Sequence, residues 1–401
     1  MTDGLTIARL DARGDGVAGD GTRAPRVLPG EVVAGAVTDG RIEAPRILTP
    51  SPDRVAAPCA HFRRCGGCSL QHASDAFASG WKRDRVATAL NRVRLAAEVG
   101  MVHVSPPRSR RRAALKGRKT KKGAVVGLHA PGTHDLVAIP DCHLLHPDLM
   151  AALPALEGIT RLAAPRGAEI GLHLTRTATG LDLALHGAKA VDPSDLAPHA
   201  PPFARITADG EPLLQSDRPR VALGGTHVVP PPGAFLQATE DGERVLTAIV
   251  IDALRGAARI ADLFCGLGTF TFPAARIAPV DAWDGDAPAV AALRDGARRA
   301  TGCKPIRASL RNLFRDPLTP DDLSGFDAVI LDPPRAGCAA QVQALAASDV
   351  ARVVHVSCNP ESFARDAATL GDGGYAMGPV ALVDQFRWST HVELVAVFRR
   401  A

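Results

Sequence analysis

The pattern of apolar and polar positions divides the chain into three parts. Residues 1–55 carry short apolar stretches, LTIARL, RVLPGEVVAGAV and RIEAPRIL, broken by glycine-rich turns such as DARGDGVAGDG. Short runs at turn-sized spacing predict a small β-barrel. Residues 56–230 hold the strand-like runs AVVGLH, EIGLHLTRT and LDLALHG, and close in the proline-rich HVVPPPGAF. Turns separate these runs more often than helices do, which predicts a mostly antiparallel sheet in an α+β central domain. Segment 188–220 has no legible period. Across residues 231–401 the grammar changes. TEDGERVLTAIVIDALRG has helical spacing, and then RIADLFCG, VDAWDGD, PIRASL, FDAVILD, RVVHVS, YAMGPVALVD and VELVAVFRR follow as strands. Five read as parallel strands linked by helices such as APAVAALRDGARRA, and the last two as an antiparallel hairpin. The expected class is α/β, with an open, doubly wound, Rossmann-like sheet of seven strands. Such sheets bind ligands beyond the carboxyl ends of their strands.

Composition excludes several classes. Of 401 residues, 46% are hydrophobic and 22% charged, the balance of a chain that buries a core and not of a disordered one. No window approaches the roughly 18 uninterrupted apolar residues of a membrane span. Asp3, Asp11 and Asp15 interrupt the start, so no signal peptide is expected and a cytoplasmic location is. Net charge is only +5 but uneven: between Arg54 and Lys122 there are 17 Lys and Arg against 3 acids. The densest run is Arg108, Arg110, Arg111, Arg112, Lys116, Arg118, Lys119, Lys121 and Lys122. A polyanion is the natural partner for such a stretch, since each neutralised phosphate releases counterions.

Eight cysteines in a chain of this type should not form a disulfide framework. Cys59, Cys65 and Cys68 fall in CAHFRRCGGCSLQH, where Gly66 and Gly67 let neighbouring sulfurs converge. Cys142, in IPDCHLL, is the nearest candidate for a fourth ligand. Four thiolates suit zinc or an iron–sulfur cluster, and spacing does not choose between them.

Four sites in the last part carry chemistry. Asp262-Leu-Phe-Cys-Gly-Leu-Gly-Thr269 follows a strand, and Gly266 and Gly268 allow a ligand close to the backbone. Asp284 ends the next strand, where a carboxylate can bond ribose hydroxyls. The loop lacks the dinucleotide fingerprint and fits a nucleoside such as S-adenosylmethionine better. Asp332, in Ile330-Leu-Asp-Pro-Pro-Arg-Ala-Gly337, ends a strand before a loop stiffened by two prolines. Cys358, in His355-Val-Ser-Cys-Asn-Pro-Glu361, ends a strand before a helix whose dipole is expected to lower the thiol pKa. That suits a nucleophile. Glu393, in Thr390-His391-Val392-Glu393, enters the final strand as either a solvated end or a general base.

CGGC with QH, DLFCGLG, LDPPRAG, VSCNP and THVE occur in that order. Together they resemble the RNA uracil-C5 methyltransferases, which form 5-methyluridine, across almost the whole chain. The resemblance implies a TRAM domain, an OB-like RNA-binding barrel, over 1–55, helped by Leu28-Pro-Gly-Glu31. It implies a central domain over 56–230 whose Cys59, Cys65, Cys68 and Cys142 hold a [4Fe–4S] cluster rather than zinc. It implies a catalytic domain over 231–401 that uses S-adenosylmethionine. Within the family the cysteine set and the barrel resemble the branch acting on 23S rRNA, with tRNA as the alternative substrate. No membrane and no obligate protein partner are implied.

The same resemblance assigns roles. Cys358 would add to uracil C6, Glu393 would remove the C5 proton, and Asp332 would sit beside base and donor. The donor site would comprise Gln237, Phe264, Gly266, Asp284, Asn312 and Asp332. Gln237 lies in AFLQAT, which departs from the family's FFQxN at Leu236 and Thr239. Thr269 stands where many members carry Asn. A rival reading is a non-catalytic RNA-binding iron–sulfur protein, which predicts loss of the nucleophile or the base. Cys358 and Glu393 are both present.

Overall fold

The structure is a computed structural model that describes residues 4–400. The first three residues of the expected barrel, and Ala401, lie outside the described residues. Five short antiparallel strands form the N-terminal sheet, in the order Arg23–Ala24, Gly16–Ala18, Leu5–Leu10, Val32–Ala34, Arg46–Thr49. They close on Ile7, Ala18, Ala24, Val27, Val33 and Ile42. A bridge from Arg23 to Arg41 folds the sheet back on itself. Glu31 is fully buried; its carboxylate accepts from the Leu28 and Ser51 N–H groups and from the Arg54 guanidinium. A buried carboxylate needs this full set of donors, and here they tie the barrel to the next segment.

The second sheet has seven strands, in the order Glu211–Gln215, Phe203–Ala208, Gly180–His186, Glu169–Thr177, Arg112–Thr120, Gly123–His129, Leu136–Ala138. Five of its six pairings are antiparallel; Phe203–Ala208 runs parallel to Gly180–His186. The two strands at the sheet's end thus come from segment 188–220, where the sequence showed no period. Helix Leu153–Ala163 covers one face through Leu156 and Ile159, packed on Leu115, Leu172, Leu174, Leu183 and Leu185.

The third sheet has nine strands. Its path is Ile306–Leu310, Val280–Asp284, Ile260–Leu263, Ala328–Leu331, Arg352–Ser357, Glu393–Arg400, Val380–Asp384, Val99–Val104. The five expected parallel strands are parallel, and Glu393–Arg400 is antiparallel to its neighbours. Two features enlarge the expected seven strands. Gly378 and Pro379 split YAMGPVALVD into Tyr375–Met377 and Val380–Asp384, and both pieces pair with the last strand. Val99–Val104, from the middle of the chain, adds itself in parallel at the edge.

Helix Asp75–Arg92 comes with that edge strand. Ser74 caps it by accepting from the Phe77 N–H, and its Val86, Ala89 and Leu90 join the core beneath the third sheet. Lys82 of this helix is 1% exposed. Its ammonium donates to Asp384 Oδ2 at 2.6 Å and to the Phe386 carbonyl at 3.3 Å. A lone buried charge is costly, so each partner requires the other. The pair fixes the loop that follows Val380–Asp384.

Candidate active site

In the third sheet the strand order reverses between Ile260–Leu263 and Ala328–Leu331. Loops leaving neighbouring strands there diverge and leave a crevice. After Ile260–Leu263, Phe264 takes φ 62°, a left-handed conformation that a bulky residue rarely adopts. Its ring packs against Phe314 at 5.3 Å between centroids. Gly266 follows with φ 52° and Gly268 with φ 94°. A Cβ at Gly268 would come within 2.7 Å of Phe272, whereas one at Gly266 would meet no protein atom within 4 Å. Gly268 thus serves packing, and Gly266 leaves bare backbone at the crevice. The Gly266 N–H donates to Asp284 Oδ2 at 2.8 Å, joining the loop to the end of the neighbouring strand.

The crevice opens into a cavity of about 660 Å³. Gln237, Phe264, Gly266, Asp284, Asn312, Asp332, Cys358 and Glu393 all line it. Every residue expected for catalysis or donor binding therefore meets in one place. Thr269, Phe235, Phe314, Arg335 and Phe386 line it as well. Arg335 stitches two walls together: its carbonyl accepts from Asn359 Nδ2 at 2.9 Å and from Ser362 Oγ at 3.2 Å.

The floor of the cavity is acidic and buried. Burial, then the charge of Asp284, pushes Asp332 up to about 7. Burial, then the charge of Asp332, pushes Glu393 up to about 8, against a hydrogen bond from Gln385 that lowers it. Asp262, beneath the loop, is raised to about 7 by burial; Thr271 Oγ1 donates to one of its oxygens, and the other has no partner among the described residues. Cys358 corrects the sequence expectation. Its thiol is raised to about 11, by burial and then by Glu393 and Asp332, with Arg335 opposing. Burial and two nearby carboxylates together outweigh the helix N-terminus, so the sulfur rests as a thiol that needs a base before it can attack.

Sequence reasoning missed Gln385. It is buried and lies between Gln237 and Glu393, donating to Gln237 Oε1 at 2.5 Å and to Glu393 Oε2 at 3.2 Å. Its position ten residues after Tyr375, outside every recognisable motif, gave no signal. The basic run also needs correction. Arg111 is buried and paired with Glu243, and Arg112 donates to the Leu236 carbonyl while lying over the Phe235 ring. Arg110 is half-buried beside Cys68 and Cys142. Lys116, Lys119, Lys121 and Lys122 make no ion pair among the described residues; Arg110 and Arg112 make none either, but their guanidiniums donate to the Arg112 and Leu236 carbonyls.

The four cysteines line one small pocket with His61, Gln71 and His143. Gly66 is required there: a Cβ would come within 2.7 Å of the His129 carbonyl. Burial raises Cys65, Cys68 and Cys142, Cys68 to about 12, and each is raised further by other cysteines of the set. Four half-buried thiols that share one pocket and repel one another's charge fit a bound cation, which would replace their protons. A separate group, Cys338, His355 and Asp366, places its donor atoms within 4.8 Å of one another. It is buried behind the Cys358 strand and outside the cavity.

A Rossmann-like sheet with a glycine loop and an acidic pocket at its switch point is the fold of nucleotide- and nucleoside-binding α/β proteins. The comparisons supply the family. The family profile described as tRNA (uracil-5-)-methyltransferase matches residues 316–401. An "uncharacterized RNA methyltransferase" of Caulobacter vibrioides is 43% identical, with 99% of each chain covered. The 23S rRNA (uracil(1939)-C(5))-methyltransferase RlmD of Pectobacterium atrosepticum is 32% identical, over 98% of this chain and 93% of that one. In fold, the chain is similar to the tRNA (uracil-54, C5)-methyltransferase of Pyrococcus abyssi, solved with S-adenosyl-L-homocysteine. The TM-score is 0.80 at 23% identity, over 98% of this chain and 99% of that one. The chain belongs to the S-adenosylmethionine-dependent RNA uracil-C5 methyltransferases.

The pocket's charge makes a prediction about the donor. Between pH 6 and 8.5 Asp332 and Glu393 lose protons, so the pocket becomes more negative. The sulfonium of S-adenosylmethionine should then bind tighter, by about tenfold for each unit of pKa coupling. S-adenosylhomocysteine, which lacks that charge, should change much less. Calorimetry with both ligands across this range checks it; equal pH slopes would contradict the argument.

Proposed function

We propose that this enzyme methylates C5 of a uridine in 23S rRNA through a covalent adduct between Cys358 and C6. One observation carries the mechanism: a thiol and a buried carboxylate, coupled to each other, face the same cavity as the glycine loop. Uracil C5 is too weak a nucleophile to attack a sulfonium methyl. The Cys358 sulfur bonds to C6 while its proton passes to a pocket carboxylate, and the C5–C6 electron pair moves toward O4 as an enolate. C5 takes the methyl group and the donor leaves as a neutral thioether. Glu393 removes the C5 proton, the C6–sulfur bond breaks, and the double bond returns. Each step asks for one group already in the pocket. Gln237, Phe264, Gly266, Asp284, Asn312 and Asp332 would hold the donor, with Asp284 toward the ribose.

The substrate reading rests on the 23S rRNA relative, the barrel and the cysteines. We read residues 1–55 as a TRAM-type barrel and 56–230 as the central domain, with helix and edge strand 75–104 packed on the catalytic sheet. The four cysteines would hold a [4Fe–4S] cluster in a structural role. A mononuclear tetrahedral zinc site needs sulfurs about 3.8 Å apart, from metal–sulfur bonds of ~2.3 Å. Among the described residues no three of these sulfurs lie within 4.8 Å of one another, and the cluster reading rests on the family resemblance. Iron and labile sulfide after anaerobic purification test this; zinc in their place would overturn it. The target base must leave its stack to reach Cys358, so a single-stranded or refolded segment is expected.

The free lysines would contact phosphate. Lys119→Glu, Lys121→Glu and Lys122→Glu together should flatten the logarithmic salt dependence of RNA binding by about 2, at ~0.7 per contact. An unchanged slope in a filter-binding titration would remove them from the interface. The deciding assay for the whole reading is methyl transfer from labelled S-adenosylmethionine to unmodified 23S rRNA and, separately, to unmodified tRNA. Mass spectrometry should find 5-methyluridine in the rRNA. The same product in tRNA alone would keep the chemistry and overturn the substrate.

A further inference from the structure

We propose that Cys338, His355 and Asp366 form a buried zinc site behind the reaction centre, which ties the loop after Asp332 to the strand before Cys358. The group lies outside the cavity, and the proposal holds whichever RNA the enzyme methylates.

The three ligands come from three elements that meet in the core. Cys338 precedes helix Ala339–Ala346, His355 lies in strand Arg352–Ser357, and Asp366 lies in helix Pro360–Asp372. All three are buried. Asp366 Oδ2 lies 3.7 Å from Cys338 Sγ and 3.8 Å from His355 Nε2, and the three donor atoms lie within 4.8 Å of one another. Metal bonds of ~2.0–2.3 Å at tetrahedral angles place such donors roughly 3.3–3.5 Å apart. Small side-chain movements therefore suffice to close the group on one ion.

His355 gives an independent indication. Its ring is fully buried, and neither nitrogen has a hydrogen-bond partner among the described residues. Buried polar atoms are normally paired, and an exception calls for an explanation. Phe363 stacks on the ring at 5.1 Å between centroids and Phe398 packs against it at 6.4 Å. The imidazole is thus held in place with Nε2 toward the carboxylate. Gly337 makes the approach of the loop possible: it takes φ 81°, and a Cβ there would come within 2.9 Å of Asp366 Oδ2.

The donor set selects the metal. One sulfur, one imidazole and one carboxylate suit zinc, and differ from the oxygen shells of calcium and magnesium. Thiolate and carboxylate together carry two negative charges, which a divalent cation balances inside the core. The thiol gives up its proton as the metal enters. No fourth His, Cys, Asp or Glu joins the group among the described residues, so a water molecule or a backbone carbonyl would take the fourth position. The role is mechanical. Cys338 closes the loop that begins at Asp332, and Cys358 stands just past His355 on the same run of chain. One bound ion would fix the spacing of those two groups.

The test is metal analysis of the full chain, expressed with added zinc, purified anaerobically without a metal-affinity step and dialysed against a weak chelator. Wild type is expected to hold about one zinc per chain. Cys338→Ala and His355→Phe should each lower that content at least tenfold, with iron and labile sulfide unchanged. X-ray absorption at the zinc edge of wild type should show a single sulfur among lighter ligands. A variant that loses iron as well has lost its fold, and the wild-type sulfur count then decides alone. A zinc shell made only of sulfur would assign the metal to the four-cysteine pocket and overturn the proposal. Wild type without zinc, or zinc retained by both variants, would overturn it too.

Discussion

Cys358→Ala is expected to abolish methyl transfer, with turnover down by about 10⁴-fold or more, the scale on which enzymes lose a covalent nucleophile. No other group in the cavity can replace it. Cys265 also lines the cavity, yet it is buried and its thiol is raised well above its ordinary value by burial and by Asp262 and Asp284. The adduct that survives denaturation of the enzyme–RNA complex should vanish with the sulfur. Donor binding should stay within about twofold, since the glycine loop and Asp284 lie on other strands. Residual turnover of even a few per cent would mean that C6 is not attacked by this thiol. The high thiol value adds a pH signature. Attack requires a carboxylate to accept the proton, so activity should rise through the range in which Asp332 and Glu393 ionise, about 7 to 8. It should not wait for the range near 11 where the thiol would ionise alone.

Glu393→Gln should behave differently. General-base removal costs roughly 10²–10⁴-fold in rate. The loss falls after methyl transfer, so methylated RNA should accumulate covalently attached to Cys358. A gel-shifted species carrying the labelled methyl group is the measurement. The substitution keeps shape and a hydrogen-bonding group beside Gln385, so folding should be preserved. It also removes a buried carboxylate that raises the Cys358 thiol, so the thiol should fall and adduct formation should not slow. Normal turnover would dismiss Glu393 as the base. Loss of activity without adduct would move its role to before methyl transfer.

Gln237, Asn312 and the role of Glu393 were read from the family resemblance. The parallel strands were legible because their apolar runs are continuous, and Phe264, Gly266, Asp284, Asp332 and Cys358 because they lie at or just past the carboxyl ends of such strands. Local signals suffice there: DLFCGLG, LDPPRAG and VSCNP each mark a strand, a turn and a helix start. What escaped was non-local. Helix Asp75–Arg92 was hidden by its charges, because Lys82, Arg83 and Arg85 read as part of a basic surface while Lys82 is buried against Asp384. Arg111 misled in the same way, being half of a buried pair with Glu243. Strand Val99–Val104 has no partner within 250 residues on the path of its sheet, and so pairs with nothing its own neighbourhood could announce. The direction of the Cys358 shift was missed because it is set first by burial and then by Glu393 and Asp332, which approach it from two other strands of the sheet. Gln385 has no motif; only its neighbours in space give it meaning.

The bond between Lys82 and Asp384 spans 302 positions of sequence. On a ribosome adding ~5–20 residues per second, the helix that carries Lys82 emerges some 15–60 s before its carboxylate partner exists. For that interval its apolar face and the edge strand Val99–Val104 have no sheet to join, while the barrel and the second sheet can already close. The nascent chain thus carries a finished barrel and second sheet and an unsatisfied helix. Strands Val380–Asp384 and Glu393–Arg400 then complete the third sheet and bring Glu393 to the cavity in the same event. A chain released before Asp384 would have neither the partner of Lys82 nor Glu393.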